Sequence, residues 1–180
     1  SAKARKRLED AIASPVPLIV DADALRMIAD DVTLQDKLLA RKAHTVITPH
    51  PGEAAAIIHS TVEKVQADRI GAARELAVQT GAISILKGAG SVVTLRSSRT
   101  WINPTGNAML ATAGSGDVLS GMLGAFFAQG LDLVTSTLAA VWLHGKAVEE
   151  YAAGVTASDI APAAAQILNT MRLSRPEPEE

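Results

Sequence analysis

A chain of 180 residues with 48% apolar side chains can bury one sizeable core and is too apolar for a disordered segment. Its 17 basic and 19 acidic residues leave a net charge of −2, which gives no electrostatic reason to expect nucleic acid or an anionic membrane as partner. There is no cysteine, which excludes disulfides and thiolate metal sites, and only 3% of residues are aromatic, too few for a base-stacking platform.

Taken in order, the chain opens with an amphipathic basic helix over 1–13, ended by Pro15 and Pro17. Val16–Val20 reads as a short buried strand, since its apolar run is continuous rather than alternating. Asp21 then lies at the carboxyl end of that strand, the edge where ligands collect in doubly wound sheets, and Asp23 is placed to cap a helix over 24–29. The alternative for both acids is an ordinary strand-to-helix turn. The pattern repeats with a helix over 34–43, a strand over 45–48 and the loop Pro49-His-Pro-Gly-Glu53, after which Glu53 opens a helix through Ile58. A histidine between two prolines has little backbone freedom, so the His50 ring is held in one direction, toward a ligand or into a structural role. A long helix over 61–80 follows, closed by Gly81 as C-cap.

A third strand, 82–86, leads into the turn Lys87-Gly88-Ala89-Gly90-Ser91, and the segments 92–95 and 100–103 form a hairpin around Ser97-Ser98. A lysine at a strand end beside two glycines can contact a phosphate, with turn amides as further donors. It is not a Walker turn, because no Lys-Ser/Thr pair opens a helix there. A plain hairpin lead-in with an exposed lysine is the competing explanation.

The stretch Trp101–Leu131 carries the strongest chemical signal. Ala113-Gly114-Ser115-Gly116 is followed at once by Asp117 and by apolar residues at helical spacing, Val118, Leu119, Met122, Leu123, Phe126 and Phe127. Glycines at a helix opening leave amides without intrahelical partners facing outward, so Gly114, Ser115 and Gly116 form a candidate phosphate cradle. A carboxylate beside such a cradle is repelled unless a cation is also there or the acid has a proton to remove. Phosphoryl transfer with Asp117 as base meets that condition, whereas simple helix capping by Ser115 or Asp117 is the alternative. A helix over 133–153 with His144 buried in it, a helix over 157–171 and a solvated tail over 174–180 complete the chain. Strands alternating with helices imply an α/β fold with a mostly parallel sheet, as one domain over 1–173. His144 is assigned no chemistry.

The motifs Asp21-Ala-Asp-Ala-Leu25, Thr48-Pro-His-Pro-Gly-Glu53, Leu86-Lys-Gly-Ala-Gly-Ser91, Asn103-Pro-Thr-Gly-Asn107, Ala113-Gly-Ser-Gly-Asp-Val-Leu119 and His144-Gly145 occur in that order. Together, from about Val16 to about Ala165, they resemble the ADP/ATP-dependent NAD(P)H-hydrate dehydratases of the ribokinase-like superfamily. The resemblance implies a ribokinase-like fold and repair of hydrated NADH or NADPH, with ADP or ATP as co-substrate and Mg²⁺ held largely through phosphates and water. Lys87, Gly88, Ala89, Gly90 and Ser91 would lie along the nucleotide, Gly116 would offer it an amide, and His50 and Asp117 would contact the hydrated dinucleotide. Asp117 would be the catalytic base, and no residue is assigned as a metal ligand. An NAD(P)H-hydrate epimerase partner domain and a cytoplasmic location are further expectations. The family's domain normally begins upstream with further strands and a glycine-rich loop, which has no match here. A missing N-terminal segment or a homo-oligomer covering the open sheet edge is therefore expected. The rivals are a thiazole or hydroxymethylpyrimidine kinase of the same superfamily and a non-catalytic nucleotide-binding module.

Overall fold

The short apolar runs form strands because both of their faces are covered. In the computed structural model, which describes residues 1–149, 151 and 154–174, the chain divides into two compact units, Ser1–Asn103 and Pro104–Glu180. The first contains α1 (Ala2–Ala13), β1 (Leu18–Val20), α2 (Asp23–Ala29), α3 (Val32–Leu39), β2 (Thr45–Ile47), α4 (Pro51–Ile57), α5 (Val62–Ala67), α6 (Arg69–Thr80), β3 (Ile83–Leu86), β4 (Val92–Thr94) and β5 (Thr100–Ile102). The strands lie in the order β1-β2-β3-β4-β5. One sheet face, with Val20, Ile47, Leu86 and Val92, packs on a core of helix residues that includes Leu25, Ile28, Leu34, Leu38, Ile57 and Leu76. Val46, Ile83, Ile85 and Val93 alternate with these and are buried too, which explains the unbroken apolar runs.

The sheet is more mixed than "mostly parallel". The pairs β1–β2 and β2–β3 are parallel, with Leu18 opposite Thr45 and Val46 opposite Ile83, while β3–β4 and β4–β5 are antiparallel. The five-residue turn after β3 is too short for a crossover, which needs a dozen or more residues, so β4 must return antiparallel. Because β1, β2 and β3 run in the same direction, their carboxyl ends fall on one edge. That edge carries Asp21, Thr48 to Glu53, and Lys87.

Several element boundaries in the first unit differ from the sequence reading. Asp23 is the first residue of α2, not its cap. Ala22 holds the cap position at φ 52° with no side-chain cap. The helix expected over 61–80 is two helices, because Asp68 leaves helical geometry at φ −136°, ψ 78° and accepts from the Gly71 amide with Oδ1 at 2.8 Å. The helix expected over 34–43 ends at Leu39, releasing Arg41, whose guanidinium donates to the carbonyls of Ile12, Ser14, Ala43 and His44. It thereby ties the end of α1 to the start of β2. Gly81 is the expected left-handed C-cap, at φ 69°.

The second unit holds a 3₁₀ turn (Ala108–Leu110), α7 (Ser115–Ala128), α8 (Leu133–Lys146) and α9 (Ala157–Leu173). Its core is Leu143, Val148, Val155, Ile160 and Ala164, joined by Met122 and Phe126. Gly145 lets the chain pass close: a Cβ there would lie 2.3 Å from Thr105 Oγ1, while Thr105 donates to the Trp142 carbonyl at 2.8 Å. The helix expected over 133–153 ends at Lys146, with Ala147 as its C-cap, and the tail beyond Ser174 lies outside the described residues.

Candidate functional site

At the carboxyl edge of the first unit, Asp21 leaves β1 and Lys87 leaves β3. Lys87 Nζ donates to Asp21 Oδ1 at 2.9 Å, with both side chains largely buried. Burial works hardest on the Asp21 carboxyl and favours its neutral form. The hydrogen bond from Lys87, the charge of its ammonium, the Thr48 hydroxyl and the Ala22 amide together outweigh burial and hold the carboxyl below its ordinary range. The lysine expected to meet phosphate is thus already engaged by an acid. The loops after β2 and β3 are also stitched together, since the Lys87 amide donates to the Pro49 carbonyl at 2.9 Å.

His50 is held more firmly than its two prolines alone require. Its Nδ1 accepts from the amides of Gly52 (2.9 Å) and Glu53 (3.3 Å), and Glu53 Oε2 accepts from the His50 amide at 2.8 Å, which completes a capping box at the start of α4. Nδ1 therefore carries no proton while it caps. Nε2 lies 3.5 Å from Glu53 Oε1, and the His50 side chain is 48% exposed.

The turn Lys87–Ser91 closes on itself through Ser91 Oγ donating to the Gly88 carbonyl at 3.2 Å. Gly88 and Gly90 take φ of +147° and +63°, which L side chains rarely adopt. Arg69, at the start of α6, lies against this turn, and the sequence reading missed it. Its position in a mixed-charge helix carried no signal, because only the fold brings α6 beside the end of β3.

In the second unit, α7 starts from Gly114 at φ 85°, and no side chain caps it. Ser115 turns its hydroxyl to the Leu110 carbonyl at 2.7 Å, and its amide donates to the Thr112 carbonyl at 3.3 Å. Asp117 is exposed in the first turn. Neither side chain caps the helix, so the capping alternative falls away, and of the amides expected to cradle phosphate that of Ser115 is already engaged. His144, buried in α8, donates from Nε2 to the Ser115 carbonyl at 2.8 Å. Its role as a satisfied interior histidine is as expected, but its partner is the first residue of α7. Nearby, Asn107 Oδ1 accepts from the Met109 amide at 2.9 Å and its Nδ2 donates to the Val148 carbonyl at 3.2 Å.

A family model for NAD(P)H-hydrate dehydratase matches residues 1–170. The chain is 41% identical over 165 residues to the ADP-dependent (S)-NAD(P)H-hydrate dehydratase of Neisseria meningitidis serogroup B, covering 88% of this chain and 55% of that protein. It is 42% identical over 137 residues to the bifunctional NAD(P)H-hydrate repair enzyme of Moorella thermoacetica, covering 76% of this chain and 25% of that one. In three dimensions it is similar to the ADP/ATP-dependent NAD(P)H-hydrate dehydratase of Bacillus subtilis co-crystallized with ATP/Mg²⁺. That match has a TM-score of 0.81 and 27% identity, over 94% of this chain and 60% of the other. The chain therefore spans little more than half of the first relative and about a quarter of the second. Its fold is ribokinase-like, and the chain belongs to the NAD(P)H-hydrate dehydratase family.

Proposed function

We propose that the protein carrying this chain repairs hydrated NADH or NADPH by nucleotide-dependent dehydration. The observation that carries the reading is the start of α7: a glycine opening with no side-chain cap and an exposed Asp117 in its first turn. Asp117 takes the proton of the C6 hydroxyl on the hydrated nicotinamide ring as that oxygen attacks the terminal phosphoryl of ADP or ATP, whose phosphoanhydride bond breaks to release AMP or ADP. The Gly116 amide and the helix dipole offset charge growing on the phosphoryl oxygens. The C6–O bond then breaks with the ring nitrogen's lone pair assisting, inorganic phosphate leaves, and loss of a C5 proton restores the dihydropyridine. Lys87 to Ser91 contact the nucleotide, and the half-exposed ring of His50 contacts the dinucleotide. Mg²⁺ bound with the nucleotide would supply charge neutralisation at its phosphates. Among the described residues no cluster of three His, Asp or Glu side chains could cage a metal, and no side chain is assigned to it. An epimerase activity in the same chain or a partner would suit a repair enzyme, because hydration of the ring yields two epimers.

The test supplies hydrated NADH, Mg²⁺ and ADP or ATP to the whole protein and follows the absorbance of regenerated NADH. Turnover is expected, and Asp117→Asn should lower the rate by ~10²–10⁴, the usual loss on removing a positioned base. Parental turnover by that variant would show that Asp117 is not the base. Nucleotide binding without turnover, or phosphorylation of a hydroxyethylthiazole or hydroxymethylpyrimidine instead, would overturn the dehydratase reading.

A further inference from the structure

We propose that Arg69 is a positioning residue for the turn Lys87–Ser91, aiming its amides at the nucleotide; this rests on the reading that the turn contacts nucleotide. Arg69 Nη2 donates to three carbonyls of one short segment, those of Leu86 (3.2 Å), Lys87 (3.4 Å) and Gly90 (3.5 Å). Its Nη1 donates to Gln66 Oε1 at 2.9 Å, which fixes the plane of the guanidinium. The arginine is itself held at the first turn of α6, where Asp68 caps the helix through the Gly71 amide. It packs so closely under the turn that a Cβ on Gly88 would meet Nη1 at 2.8 Å.

A consequence follows from peptide geometry. In a trans peptide the C=O and the next N–H point in opposite directions. With the carbonyls of Lys87 and Gly90 drawn to Arg69, the amides of Gly88 and Ser91 face away from it. The third peptide shows the same sense: the Leu86 carbonyl meets Arg69 while the Lys87 amide reaches the Pro49 carbonyl at 2.9 Å. One cation thus gathers the acceptors of a glycine turn on one side and leaves donors on the other, the arrangement that an anionic phosphate or ribose oxygen requires. A planar fork can hold Gln66 with one nitrogen and gather the turn's carbonyls with the other, whereas an ammonium has a single nitrogen for both tasks.

The experiment makes Arg69→Lys and Arg69→Met in the whole protein. It measures ADP binding with Mg²⁺ by calorimetry, KM separately for ADP and for the hydrated dinucleotide, and thermal unfolding. Both variants should fold, and both should lose ADP affinity by roughly tenfold or more, the size expected when several bonds from a charged donor are removed. KM for ADP should rise in step, while KM for the hydrated dinucleotide and kcat at saturating ADP stay within about twofold. Lysine should fail to rescue, since charge without the fork is insufficient. A folded variant with parental ADP affinity, or failure of both variants to fold, overturns the proposal. If the parent binds ADP, the variants do not, and no dehydration is seen, the positioning role stands and the functional reading falls. A parent that binds neither ADP nor ATP overturns both.

Discussion

At the scale of single residues, the carboxyl edge of the first unit depends on how its charges are matched. Asp21 is held ionised against the cost of its own burial by Lys87 and by smaller donors. Its folded-state pKa lies below that of the unfolded chain, so its contribution is fully present above the ordinary carboxylate pKa of about 3.9 and is lost as pH falls through the lower folded value. Asp21→Asn should therefore destabilise the protein by about 1–3 kcal/mol at neutral pH, because Lys87 is left largely buried without its anion. It should also flatten the part of the stability profile below pH ~4. Urea unfolding over a pH series measures both; an unchanged acid limb would mean that the pair contributes nothing to stability. Ser84 is the opposite kind of residue. It is fully buried in β3, and its hydroxyl has no hydrogen-bond partner among the described residues.

At the scale of elements, α4 of the first unit and α7 of the second begin in contrasting ways. α4 is closed by a side chain, the His50 ring, in a reciprocal capping box with Glu53. α7 is left open, because Gly114 at φ 85° has no side chain to cap with and Ser115 is turned to Leu110. The open start is available to a ligand, whereas the closed one orients a ring. This separates two roles for His50 that a single substitution would confuse. His50→Ala should cost about 0.5–2 kcal/mol through loss of the cap, and His50→Asn, a strong capping residue, should recover most of it. If the half-exposed ring also contacts the dinucleotide, the asparagine variant will be as stable as the parent yet show a raised KM for that substrate alone. Parental stability in His50→Ala would contradict the capping role.

At the scale of the molecule, each unit carries its own core. The first has helices α1–α6 against one sheet face, and the second has α7, α8 and α9 packed around Leu143, Ile160 and Phe126. Nucleotide that binds only the folded protein must stabilise it by mass action. ADP with Mg²⁺ at a hundred times its dissociation constant should add about 2.7 kcal/mol, visible as a rise in melting temperature, and chelating the metal should remove much of that rise. A melting curve indifferent to ADP and ATP would contradict nucleotide binding by this protein.

Much of this was legible along the chain. Continuous apolar runs marked strands covered on both faces, helical spacing marked α7, and Gly81 marked the end of α6, because each depends on neighbours within a few residues. The order of short motifs was enough to identify the family. What the tertiary structure decided involves residues distant in sequence: the Asp21–Lys87 pair, the Arg69 fork beneath the Lys87–Ser91 turn, and the His144 bond that holds the first residue of α7. The split at Asp68 belongs with these in part, since a capping acid within a periodic run looks the same as a solvated one until its backbone leaves the helix. Local periodicity and backbone preference are written into adjacent residues. A charged side chain's partner is chosen only when the sheet brings separate strand ends to one edge, and the physical reason is that burial makes an unmatched charge or carbonyl costly there.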